Sequence, residues 1–147
     1  MWTTRVYRSG ADDSRPIALN ALNEDLNPNE ALDFVCRLGG QRRDAADIEA
    51  ALERLGVGAK RRARVRALSQ GQKRRVALAR LALELHKPLW LLDEPFDALD
   101  TDGVDGLNAL LTEHAQRGGA TLLTSHQALS LAEPALRLHD LDDHRRA

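Results

Sequence analysis

The stretch LWLLDEP, residues 89–95, decides the fold of this chain. Its four consecutive apolar residues, Leu89 to Leu92, are typical of a short strand buried on both faces of a parallel sheet. The run ends in two adjacent carboxylates, Asp93 and Glu94, and open α/β sheets bind their ligands at the carboxyl ends of their strands. The stretch therefore predicts an α/β sheet with an acidic ligand site at its edge.

Paired carboxylates at a strand end suit phosphoryl transfer, in which an Asp holds Mg²⁺ and a nearby group orients the attacking water. Asp93 is the candidate metal ligand, and Glu94 is the candidate that acts on the water. A solvated surface acid pair is the alternative interpretation. The apolar run before the pair and Pro95 after it favour the nucleotide site.

A second motif, Ser69-Gln70-Gly71-Gln72, precedes that strand. Ser69 suits the N-cap of a helix, and Gln72 stands at the capping-box position. A helix N-terminus that carries a hydroxyl and a glycine is also an anion site, because glycine permits close approach of the ligand. Capping alone is the alternative. The position of the motif ahead of the strand-end carboxylates favours a nucleotide-binding role.

His126 follows a second apolar run, Ala120 to Leu123, within Thr124-Ser125-His126-Gln127. A histidine at a strand end can contact a γ-phosphate and sense its loss. An ordinary loop residue is the alternative, and the two motifs described above favour the phosphate contact. The remaining histidines have no metal-ligand spacing and are predicted to lie on the surface: His86, His114, His139 and His144.

Capping and terminating residues predict helices over residues 28–38, 45–55, 70–85 and 102–116. Strands are predicted at 89–92, 120–123 and 135–138, with a short helix at 128–133. Met1 to Arg15 shows no pattern of an element, and the residues before Leu89 look purely helical. Alternating strands and helices from Leu89 onward predict a parallel sheet covered on both faces.

Composition narrows the class of protein. The 147 residues are 43% hydrophobic and 29% charged, which fits one soluble globular domain. Cys36 is the only cysteine, so an intrachain disulfide is impossible and a reducing compartment is expected. No apolar run approaches the ~20 residues of a membrane span, so membrane association is expected only through a partner.

The middle of the sequence is basic, over residues 60–66 and 73–75. A nucleic-acid patch is one interpretation. No aromatic residue is interleaved for base stacking, and the formal net charge is −1. A solvated face or a subunit contact is therefore favoured, and nucleic acid is not expected as a partner.

The sequence contains no GxxxxGK[ST] loop, the motif that cradles the phosphates of a nucleotide. Residues 56–61, GVGAKR, carry two glycines but lack GK[ST] and precede a basic connector instead of following a strand. We therefore expect the second half of an ATPase, truncated at its N-terminal side.

Together these motifs resemble the ABC-transporter ATPase family. Leu68 to Gln72 looks like its signature motif, and Leu89 to Glu94 looks like its Walker B strand. Ala98-Leu99-Asp100 is similar to its D-loop, and His126 to its switch histidine. The resemblance covers roughly Leu19 to Leu138.

A finer resemblance is to the branch of this family that exports haem for cytochrome c biogenesis in Gram-negative bacteria. Three runs carry it: LSQGQKRRVALARL at 68–81, PLWLLDEPFDALD at 88–100 and LLTSHQAL at 122–129. Most ABC proteins have glycine where Gln70 stands, and Gln70 favours this branch.

The resemblance implies a partial P-loop NTPase fold of the α/β class. A helical subdomain with the signature motif, residues 17–88, would precede the C-terminal half of the ATPase core, residues 89–147, with residues 1–16 unassigned. ATP and Mg²⁺ would bind between two subunits. The implied site residues are Ser69, Gln70, Gly71, Gln72 and Asp100 for the nucleotide, Asp93 for the metal, and Glu94 and His126 for catalysis.

The resemblance also implies partners, namely membrane-embedded transporter subunits and a second ATPase subunit at the cytoplasmic face of the bacterial inner membrane. Two alternatives stay open. The chain could be a binding module that presents only its signature face and completes an ATP site in trans. It could also be an ABC-type ATPase that acts on nucleic acid.

Overall fold

The computed structural model describes residues 5–6, 17–18 and 22–125 of the chain. His126, the predicted helix at 128–133 and the predicted strand at 135–138 lie outside the described residues. No helix within the described part of the chain is both long and apolar enough to cross a bilayer.

Two short strands lie near the N-terminus. β1 (Arg5–Val6) pairs antiparallel with β2 (Ile17–Ala18), with Val6 opposite Ile17. The predictions of no element in Met1 to Arg15 and of purely helical structure before Leu89 are therefore wrong at these residues. Strands of two residues are too short to show the alternation by which a sequence reveals a strand.

The first two helices begin and end close to their predicted bounds. α1 (Pro28–Leu38) starts at a capping box, because Asn27 Oδ1 accepts from the Glu30 N–H and Glu30 Oε2 accepts from the Asn27 N–H. α2 (Ala45–Arg54) ends one residue before its predicted limit. Gly56, at φ +67°, then reverses the chain in a conformation that favours glycine.

α3 (Gln70–Leu83) is the central helix. Its capping box is the predicted one: Ser69 Oγ accepts from the Gln72 N–H at 3.2 Å, and Gln72 Oε1 accepts from the Ser69 N–H at 3.0 Å. The helix ends two residues before its predicted limit, and the Glu84 carbonyl that follows accepts from Trp90 Nε1 at 3.3 Å and from the Lys87 N–H at 2.9 Å. From Arg75 to Leu81 every residue of α3 is buried.

A β-α-β unit follows, as the α/β prediction requires. β3 (Leu89–Leu92) pairs in parallel with β4 (Ala120–Leu123), and α4 (Thr101–Gln116) connects them. α4 buries Leu107, Leu110 and Leu111 in the same core as Trp90. β1 lies next to β3.

The predicted burial of both strands on both faces is wrong. In β3, Trp90 is buried but Leu91 is only half-buried, and in β4 Leu122 is 66% exposed. Side chains alternate across a sheet, so one face of the β3–β4 pair packs on the core, while the other face carries the half-buried Leu91 and the exposed Leu122.

His114 lies in the middle of this core and not on the surface as predicted. Its ring is fully buried and stacks on Trp90, with ring centroids 3.8 Å apart and planes 1° from parallel. Nε2 lies 2.7 Å from the Lys87 carbonyl, which can only accept, and Nδ1 lies 3.1 Å from Thr121 Oγ1. A buried imidazole is tolerated here because both ring nitrogens have partners.

Candidate functional site

The carboxyl ends of β3 and β4 lie side by side, and Thr124 joins them. Its N–H donates to the Leu92 carbonyl at 3.0 Å. Its hydroxyl donates to Asp93 Oδ1 at 2.7 Å and accepts from the Glu94 N–H at 3.0 Å. Thr124 was not a predicted site residue. The available signal was its position as a hydroxyl directly after the second predicted strand.

Glu94 is in a strained backbone conformation. Its φ is +45°, in the left-handed region that residues with side chains rarely adopt, and the residue is only 6% exposed. Such a conformation costs about 1–3 kcal/mol and persists only where the surroundings enforce it. Here Thr124 holds the Glu94 N–H, and the Glu94 carbonyl accepts from the Asp97 N–H at 3.2 Å.

Arg74 of α3 reaches the same two peptide groups. Its Nη2 donates to the Glu94 carbonyl at 2.6 Å and to the Asp93 carbonyl at 3.2 Å. Burial lowers the pKa of the Arg74 guanidinium, and the nearby carboxylates of Asp97, Asp93 and Glu94 oppose that shift. Arg74 is therefore half-buried against the loop, whereas the sequence favoured a solvated face or a subunit contact for this basic run.

Two further contacts join the first turns of α3 to the loop that follows β3. A Cβ atom placed on Gly71 would lie 2.6 Å from the Ala98 carbonyl oxygen, so the two backbones touch. Arg75, which is buried and not solvated as predicted, pairs with Asp100 at 3.3 Å from Nη2 to Oδ2. Asp100 also caps α4 by accepting from the Gly103 N–H at 3.0 Å.

The structure therefore brings three of the predicted motifs together. The signature-like helix start, the strand-end carboxylates and the loop that ends at Asp100 form one unit, held by Arg74, Gly71 and Arg75. Ser69 and Gln70 are exposed at the start of α3, and Gln72 folds back onto Ser69. The remaining predicted site residue, His126, lies outside the described residues.

The donor set at the strand ends fits a Mg²⁺–nucleotide complex and not a self-sufficient metal cage. Within the described residues no group of three or more His, Cys, Asp or Glu side chains could hold a metal ion. Mg²⁺ is usually held by one or two carboxylates together with phosphate oxygens and waters. Asp93, which accepts from the Thr124 hydroxyl at 2.7 Å, is a carboxylate at the strand end.

Comparison with known proteins defines the class. Residues 7–97 match the family model described as ABC transporter. The chain belongs to the ABC transporter family. The match begins at residue 7, so the resemblance extends further toward the N-terminus than Leu19.

Curated relatives of this chain include cytochrome c biogenesis ATP-binding export proteins CcmA from several bacteria. The protein from Albidiferax ferrireducens is 46% identical over 84% of this chain and 58% of its own length. The protein from Dechloromonas aromatica is 40% identical over 92% of this chain and 69% of its own length. The protein from Vibrio cholerae is 43% identical over 83% and 58%. The chain thus spans roughly three fifths of the relatives it matches.

Solved structures with the same fold are ATP-binding cassettes. The dimeric cassette MJ0796, bound to ADP and phosphate in a post-hydrolysis state, aligns with a TM-score of 0.63 over 74% of this chain and 50% of its own. The sequence identity is 22%, so this likeness concerns the fold alone. It agrees with the predicted partial P-loop NTPase architecture.

Proposed function

We propose that this chain provides the signature helix, the strand-end carboxylates and the switch histidine of an ABC-type ATPase subunit that drives haem export for cytochrome c biogenesis. The observation that carries the proposal is the junction of α3 with the loop from Asp93 to Asp100 through Arg74, Gly71 and Arg75. The identity to cytochrome c biogenesis ATP-binding export proteins CcmA supports the link to cytochrome c biogenesis.

The reaction is ATP plus water to ADP plus phosphate. Bound Mg²⁺ would neutralise charge on the phosphate oxygens. Asp93 would hold that ion, with its carboxylate oriented by Thr124, and Glu94 would orient and deprotonate the attacking water. His126 would contact the γ-phosphate.

The exposed start of α3 would face a nucleotide held by a second ATPase subunit. Ser69 and Gly71 would approach its γ-phosphate, with Gln70 and Gln72 beside them, because a helix N-terminus favours anions. Asp100 would couple the two sites of the dimer. Membrane-embedded subunits would hold the pair at the cytoplasmic face of the inner membrane.

The basic connector does not favour nucleic acid as a partner, because intrachain groups occupy several of its cations. Arg61 pairs with Glu49 and Glu53, and Arg66 pairs with Asp25 at 3.2 Å. Arg64 donates to the Asp25 carbonyl. A phosphate-binding surface needs cations that are available to the backbone of the nucleic acid.

We expect the purified 147-residue chain to release phosphate from ATP no faster than a blank. Its sequence has no GxxxxGK[ST] loop, and the loss of several charge-assisted phosphate contacts lowers nucleotide affinity by a factor of about 10⁴ or more. Phosphate release is measured with an intact CcmA relative as the positive control. Mg²⁺-dependent hydrolysis that disappears in Glu94→Gln would contradict this expectation.

A separate experiment tests the signature face, which is the start of α3 at residues 69–72. The same experiment tests the binding-module alternative. We expect the chain to associate with an intact ATP-loaded CcmA relative, and not with the nucleotide-free form. Gln70→Arg should weaken this association about tenfold or more, because it places a bulky cation at the helix start. Gln116→Arg, the same change at an exposed position at the end of α4, should alter it by no more than about twofold. If the two variants associate with the relative equally well, the start of α3 is not the docking surface.

A further inference from the structure

We propose that Arg74 is a positioning residue that fixes the backbone of Glu94 to the signature helix. The inference rests on the proposed function, since Glu94 receives its role in water activation there. Arg74 itself would touch neither nucleotide nor water. It acts on the two carbonyl groups that flank the strained residue.

The geometry supports this role directly. One guanidinium nitrogen donates to two consecutive carbonyls, at 2.6 Å to Glu94 and at 3.2 Å to Asp93. The Glu94 N–H is held by Thr124 at 3.0 Å. The peptide groups on both sides of the Glu94 Cα are therefore held, as the left-handed φ of +45° requires. Thr124 directly follows β4 of the sheet, whereas Arg74 belongs to α3.

The position of Arg74 on α3 connects the start of this helix to the Glu94 backbone. Arg74 lies within the same two helical turns as Gly71 and the N-cap Ser69, and the capping box makes this end of the helix regular. A displacement of the helix start would therefore be passed through the guanidinium to the Glu94 carbonyl. Docking at the exposed face is thereby linked to the orientation of the buried carboxylate.

Charge stabilises the contact. Burial lowers the pKa of the guanidinium, and the nearby carboxylates of Asp97, Asp93 and Glu94 oppose that shift and favour its charged form. Hydrogen bonds from a charged donor are stronger than neutral ones. The neighbouring Lys73 points elsewhere and pairs with Glu24 at 2.7 Å. Lys73 therefore offers a matched control on the same helix.

Amide hydrogen exchange in the full chain, followed residue by residue by NMR, tests the proposal without any turnover. In Arg74→Met we expect the Glu94 and Asp97 amides to exchange about tenfold or more faster, relative to the amide of Leu81 in α3. Lys73→Met should change that ratio by no more than about twofold. Arg74→Gln, which keeps a polar group but is too short to reach both carbonyls, should resemble Arg74→Met.

The ratio separates positioning from general stability. If Glu94 and Leu81 accelerate by the same factor, or if Glu94 keeps its wild-type ratio in either folded arginine variant, the proposal is overturned. Should Arg74→Met fail to fold, Arg74→Gln decides. Association of the wild-type chain with the intact ATP-loaded relative is measured alongside the exchange experiment. Failure of the wild-type chain to associate would remove the proposed function and leave the exchange result standing.

Discussion

Trp90→Ala is expected to destabilise the chain by about 3–5 kcal/mol, a large part of the stability of a typical domain. The Trp90 side chain is fully buried, stacks on His114 and donates from Nε1 to the Glu84 carbonyl at 3.3 Å. Its removal leaves a cavity between β3 and α4 and takes one of two donors from the Glu84 carbonyl, which also accepts from the Lys87 N–H at 2.9 Å. Denaturant-induced unfolding, followed by circular dichroism, measures the loss.

Leu122→Ala is the control for this prediction. Leu122 is a large apolar residue on the strand paired with β3, but its side chain is mostly exposed. Its truncation should change the free energy of unfolding by no more than about 0.5 kcal/mol. Similar losses in the two variants would show that the Trp90–His114 stack is not the centre of the core.

Gly71→Ala is the second substitution with a large expected effect, and its sign is diagnostic. In a helix, alanine in place of glycine normally stabilises by about 0.5–1 kcal/mol. At this position the new Cβ would meet the Ala98 carbonyl oxygen at 2.6 Å, and that oxygen is a backbone atom that cannot rotate away as a side chain can. We expect a net destabilisation of about 1–3 kcal/mol and a loss of ATP-dependent association, because α3 must move away from the loop.

Gln70→Ala provides the stability reference for Gly71→Ala. Gln70 is exposed in the same turn of α3, and its truncation should change the free energy of unfolding by no more than about 0.5 kcal/mol. Chemical denaturation of the two variants is compared under identical conditions. A Gly71→Ala variant that is more stable than wild type would contradict the close approach of the two backbones.

The helix starts could be predicted because their chemistry is local. Asn27 with Glu30, and Ser69 with Gln72, form capping boxes whose partners lie three residues apart in the sequence. The bounds of β3 were predictable for a similar reason, because its four apolar residues and the two carboxylates that follow them are adjacent in the sequence. These local signals also identified Asp93, Glu94 and Ser69 as candidate site residues.

Long-range contacts could not be predicted in this way. His114 is buried because Trp90, Lys87 and Thr121 surround it, and no local pattern distinguishes it from an exposed histidine. Arg74 looked like one cation in a basic run, yet its partners lie 19 and 20 positions further along the chain. The packing of α3 against the loop decides which basic side chain points inward. No spacing of residues in the sequence predicts that packing.

The His114 ring also constrains a residue outside the core. A Cβ atom on Gly119 would clash with the His114 ring at Nε2, so an imidazole at 114 requires a residue without a side chain at 119. Natural variants of this chain should therefore change the two positions together, with larger residues at 119 only where a smaller group has replaced the histidine. The residue at position 119, in the turn between α4 and β4, would then indicate the size of the buried side chain at position 114 in each relative.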